Sequence, residues 1–175
     1  MKPFLIWRDD WLLGFEHLDE QHLELVDALN NLHRFFLQVK EKRVCAGMNT
    51  ICRQLSVLRD LTHHHFQTEE ALMQRFGFPG LADHHREHVM LLAELQLHIR
   101  EIEAGSKPFT LGTLTALKHW QIDHLLYSDR KFADYLMCQL PSSKVFGFKD
   151  KTGKQSSQQI LYSDSGDDWR KNHSG

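Results

Sequence analysis

The sequence is poor in cysteine and proline and has no long apolar run, and each scarcity excludes something. Its three cysteines, Cys45, Cys52 and Cys138, contain no C-x-x-C pair. Neither a disulfide framework nor a thiolate metal site is therefore expected, and a reduced, cytoplasmic setting fits best. No uninterrupted apolar stretch approaches the roughly 18 residues that cross a bilayer. Met1 to Arg8 lacks the apolar core of a signal peptide. A formal net charge of -2 gives no electrostatic reason to expect nucleic acid or an anionic membrane as partner. The expectation is a soluble, cytoplasmic protein. Its 175 residues, 41% hydrophobic and 25% charged, are enough for one domain with its own apolar core.

Only four prolines, Pro3, Pro79, Pro108 and Pro141, punctuate the chain. Between them run stretches with helical periodicity. Leu18, His22, Leu25, Leu29, Leu32 and Phe36 recur at spacings of three and four, and Asp19 is placed as the N-cap of this first helix. It should fade in a solvated loop, Lys40 to Gly47. A second stripe is Ile51, Leu55, Leu58, Thr62, His65, Glu69, Leu72 and Phe76, ended by Gly77 and Pro79. A third is Leu81, His84, His88, Leu91, Leu95, Ile99 and Ile102, ending before Gly105. A fourth starts near Thr110, includes Leu114, Leu117, His124, Phe132 and Leu136, and must stop before Pro141. No stretch alternates apolar and polar residues as a strand would. The expected fold is all-α: an antiparallel up-down-up-down four-helix bundle over residues 1–140, with an N-terminal arm. From 141 to 175 the composition turns to Lys, Ser, Gln, Asp and Gly with scattered Phe146, Phe148, Tyr162 and Trp169. Such a polar tail is not expected to build a core of its own; it leaves room for a protein partner.

Histidine is the residue in excess, with 13 in the chain. Five of them lie on the apolar stripes of the four helices: His22, His65, His84, His88 and His124. Glu69 shares the second stripe, and Asp129 follows His124. One buried histidine is ordinarily a satisfied core residue. Five, converging with two carboxylates from every helix, would be costly to bury unless something compensates them together. A metal does so. Seven donors exceed the four of a structural zinc and suit two six-coordinate ions. Mixed imidazole and carboxylate ligation fits iron best, with manganese or zinc as alternatives.

These residues fall in an ordered series of motifs: Asp19-Glu20-Gln21-His22, His65-Phe66-x-x-Glu69-Glu70, His84-x-x-x-His88 and Trp120-x-x-x-His124-x-x-x-x-Asp129. The series resembles the ligand motifs of the hemerythrins, the single-domain bacterial branch above all. Trp7 and Gly14 resemble the arm that enters its first helix. The resemblance spans Trp7 to Leu136. It implies a non-haem di-iron centre that binds dioxygen reversibly, as a carrier or store and not an enzyme. His84, His88 and His124 would hold one iron and His22 and His65 the other. Glu69 and Asp129 would bridge them with a solvent-derived oxygen, leaving one position open on the second iron. A sensor of oxygen, nitric oxide or redox state, or a di-iron peroxidase or oxidase, are the alternative functions.

The remaining polar residues near these motifs have plainer readings. His17, His63, His64, His85, His98 and His119 are expected on the solvent side, with helix capping as the alternative for His17 and support of a ligand for His63 and His64. Glu70 is expected to face away from the ligands, and Trp120 to pack in the core or else line the oxygen pocket. One spacing is unusual. His124 and Asp129 are five residues apart, which on a regular α-helix separates them by about 140°. Both must reach one centre. A π-type turn or bend is predicted between them, a straight helix spanned by side chains and ions being the alternative.

Overall fold

The structure, a computed structural model, describes residues 2–41 and 47–139. The predicted tail 141–175, Cys45 and most of the first loop lie outside the described residues. An arm with a 3₁₀ turn, Asp9–Trp11, leads into α1 (Glu16–Lys40), α2 (Gly47–Phe76) and α3 (Leu81–Glu103). The fourth helix of the bundle is interrupted: α4 (Leu111–Asp123), a π-helical segment (His124–Asp129) and α5 (Arg130–Gln139) follow without a break. No strand occurs among the described residues. The chain is an all-α four-helix bundle, as the periodicity predicts.

Local chemistry explains the ends. Gly77 closes α2 at φ 64. There its N–H reaches the Gln74 carbonyl and Phe78 N–H the Met73 carbonyl, a Schellman closure that favours glycine. Gly105, at φ 67, closes α3 the same way onto Ile102 and Glu101. Thr110 caps α4, its Oγ1 accepting from Thr113 N–H at 3.1 Å. Tyr135 on α5 donates its hydroxyl to the Phe76 and Gly77 carbonyls and so joins the two chain segments at this end of the bundle.

Asp19 is a correction. Phe15, not Asp19, is the N-cap residue of α1, and Asp19 lies buried inside the helix. Its carboxylate accepts from Leu13 N–H at 2.8 Å and Gly14 N–H at 3.0 Å. It ties the arm to the helix instead of capping it. Asn30 holds the arm further along, donating to Leu5 O and accepting from Leu5 N–H, both at 2.9 Å. Arg130 donates to the Leu12 and Asp10 carbonyls. The arm is thereby laid along the bundle.

The interior has two regions. Leu29, Leu32, Leu55, Leu95, Ile99 and Leu114 are fully buried in one half. Toward the other end, where α1 begins and α2 ends, the same helical faces carry buried His22, His65, Glu69, His84, His88, His124 and Asp129. Phe132, Met73 and Leu18 close that end with hydrocarbon again.

Candidate metal centre

All seven residues named from the sequence come together. Two groups of donor atoms form, within each of which the atoms lie no more than 4.8 Å apart. One comprises Glu69, His84, His88, His124 and Asp129, the other His22, His65 and Asp129. Asp129 belongs to both. Its Oδ2 is 3.2 Å from His22 Nε2 and 3.9 Å from His65 Nε2. Its Oδ1 is 3.0 Å from His124 Nε2 and 3.4 Å from His84 Nε2. The Nε2 atoms of His22 and His65 face each other at 3.1 Å, and those of His88 and His124 at 2.9 Å. Glu69 stands with the three-histidine group, Oε2 lying 3.1 Å from His84 Nε2 and 3.4 Å from His88 Nε2.

The π segment makes this convergence attainable. It runs from His124 to Asp129, where the spacing of five predicts a widened turn. An i+5 turn brings these two residues toward one side, where a 3.6-residue turn would splay them.

Behind the donors stand side chains that periodicity does not single out. Gln21, next to His22, accepts from His65 Nδ1 at 3.1 Å. Its amide orientation is set by Nε2 donating to Thr68 Oγ1. Glu70, next to Glu69, accepts from His88 Nδ1 at 2.7 Å, and its other oxygen lies 2.9 Å from His85 Nδ1. The expectation that Glu70 faces away is therefore corrected. It turns off the centre by one helical step, but its long side chain crosses to α3. Glu87, next to His88, accepts from His124 Nδ1 at 3.0 Å and from Ser128 Oγ at 2.7 Å. Each supporter is the chain neighbour of a donor on its own helix and serves a donor on the next. That adjacency was a readable signal, because a ligating imidazole generally gives its second N–H to an acceptor.

Rings pack around the donors. Phe66 stacks on His88 at 3.6 Å and 6°. Trp7 of the arm lies over His22, 6.4 Å between centroids and 24° between planes. Trp120, half-buried, packs against Phe66 at 6.2 Å, beside the donors and outside the main apolar cluster. His17, His63, His64, His85 and His119 are exposed, as expected. His98 is half-buried, near Glu94 and Glu101, and so only partly on the solvent side.

The electrostatics divide the bare residues: burial disfavours charge on some, and neighbouring carboxylates favour it on others. Burial pushes Glu69 up to about 7, with the charge of Asp129 adding to it. Burial also lowers His65 to about 4, with the charge of His22 adding, and His88 to about 2, with His124 and His84 adding. His84 and His124 go the other way. Burial disfavours their charge, but the nearby carboxylates Asp129 and Glu69 outweigh it, Glu87 also aiding His124, and raise them to about 9 and about 10. Burial would raise Asp129 too, but the charge of His124 and the hydrogen bond from His22 hold it well below the usual carboxylate range. Glu87 is held at about 2, first by its hydrogen bond from His124. Several atoms stay unpaired: His22 Nδ1, Glu69 Oε1 and Asp129 Oδ1 are buried without a hydrogen-bond partner. Asp129 Oδ1 is near His124 yet not aligned to hydrogen-bond it. Two carboxyl side chains with orphaned oxygens, set among imidazole nitrogens, fit metal cations in donor chemistry.

Residues 13–136 match the family model described as the hemerythrin HHE cation binding domain. The chain belongs to the hemerythrin family. It is similar to a bacteriohemerythrin of Stenotrophomonas maltophilia, 29% identical over 136 residues, 78% of this chain and 84% of the relative. A bacteriohemerythrin of Methylococcus capsulatus is 28% identical over 121 residues, 67% of this chain and 85% of the other. Myohemerythrin-1 of Phascolopsis gouldii is 26% identical over 128 residues, 73% and 90% of the two chains. The crystal structure of a wild-type hemerythrin superposes with TM-score 0.67 at 23% identity, covering 75% of this chain and 96% of that one; this likeness concerns the fold. Family membership implies a non-haem di-iron site. No helix among the described residues is long and apolar enough to cross a membrane.

Proposed function

We propose that the chain binds dioxygen reversibly at a non-haem di-iron centre, as a carrier or store and not as an enzyme. The carrying observation is that Asp129 is shared by two buried donor groups of unequal size. In this reading His84, His88 and His124 would hold one iron, His22 and His65 the other, with Asp129 and Glu69 as the carboxylates available to both. When bound, the iron pair supplies the electrons that dioxygen binding requires and takes them back on release.

The residues do the rest. Three imidazoles with the two carboxylates would fill most positions around one ion. Only two imidazoles would join the shared carboxylates on the other, which would leave it more open to a small ligand. Trp7 and the arm cover His22, and Phe66 and Trp120 line the opposite flank. This casing keeps bulk water from the open position, which favours reversible binding over hydrolysis and proton leakage.

The test is azide added to the oxidised, iron-loaded protein, alongside metal analysis. Two irons per chain and an azide-dependent shift of the charge-transfer bands are expected. One iron per chain, or a spectrum indifferent to azide at high concentration, would defeat the reading.

A further inference from the structure

The supporting side chains form a series around the bundle, and the series is uneven in charge. Gln21 on α1 serves His65 on α2, Glu70 on α2 serves His88 on α3, and Glu87 on α3 serves His124 in the π segment. There it stops. Ser128, the neighbour of Asp129, donates to Glu87 and not toward α1, while His22 Nδ1 is buried without a partner. Two carboxylates thus stand behind the three-histidine group. One neutral amide stands behind the two-histidine group.

The two carboxylates are held on both oxygens, Glu70 between His88 and His85, Glu87 between His124 and Ser128. An imidazole that donates to a fixed carboxylate is oriented with its other nitrogen inward and is a more basic ligand. The negative charge also attracts a dication across a short path. Glu70 and Glu87 are partly exposed, 25% and 43% of their side chains, so solvent weakens this attraction without removing it. An amide orients its imidazole but adds no charge.

We infer that Glu70 and Glu87 are positioning residues that make the three-histidine group the tighter half of the centre. A divalent metal fills that half first, and the His22–His65 half, supported only by Gln21, is filled second and held more weakly. This inference rests on the two-metal reading above.

The metal-free chain, labelled with ¹⁵N-histidine, is titrated with zinc(II) and followed by NMR, with a competing chelator giving the product of the two binding constants. The rings of His84, His88 and His124 should shift with the first equivalent, and those of His22 and His65 with the second. Glu87→Gln should lower the product about 10–100-fold with unchanged circular dichroism. Gln21→Glu, nearly isosteric, should raise it, a gain that a packing role would not produce. Five rings shifting together, the His22–His65 pair shifting first, a Glu87→Gln product within about twofold of the parent, or no gain from Gln21→Glu would overturn the inference. Failure of the unaltered chain to bind zinc at all would count against the two-metal reading instead.

Discussion

The two halves of the bundle interior solve opposite problems with the same helices. In one, Leu29, Leu55, Leu95 and Leu114 meet and hydrocarbon burial is sufficient. In the other, seven polar side chains are buried on the same faces, a cost that only mutual pairing or a bound cation offsets. The lesson is a division of labour. The apolar half fixes the helices in register, and the polar half uses that register to bring donors from all of them together.

The sharpest way to break the comparison is Asp129→Ala. Asp129 is the donor shared by both groups, so iron content should fall for both ions and not by one alone. Metal analysis checks this, with Asp123→Ala as the contrast. Asp123 is exposed and should leave two irons in place. Leu55→Ala probes the other half. It should cost about 2–5 kcal/mol in denaturant unfolding, by a similar amount with and without metal, while iron content stays at two. A cost confined to the loaded form would show that the halves are not separable. Thr110→Ala removes a cap remote from the donors and should cost about 1 kcal/mol, without change in the iron spectrum. The smallest effect is expected from ending the chain after Pro141. The seven donors and the three supporting side chains named above all lie before it, so iron content should be unchanged.

What was legible followed from periodicity and from conflict with it. Leucines at three and four marked the helices, and histidines on those same stripes marked the donors, because a polar residue on an apolar face needs a reason. The spacing of His124 and Asp129 pointed to the π segment because a regular helix would splay them by about 140°, although side chains and ions spanning a straight helix was an equal alternative. Glu70 and Glu87 lie off the stripes, and their roles depend on how far one helix is rotated against the next. Periodicity within one helix does not report that rotation. Asp19 was misread for a related reason. Its place before an apolar run is that of a cap, but the arm folds back and supplies Leu13 and Gly14 N–H as partners in place of the helix's own.

The most direct test of the central claim is an absorption spectrum of the reduced, iron-loaded protein taken without oxygen, after exposure to air, and again after the oxygen is removed. A charge-transfer band should appear in air and disappear on removal, with the first spectrum restored over repeated cycles. Conversion in a single step to an oxidised spectrum that removing oxygen does not reverse, or no response to air, would contradict it.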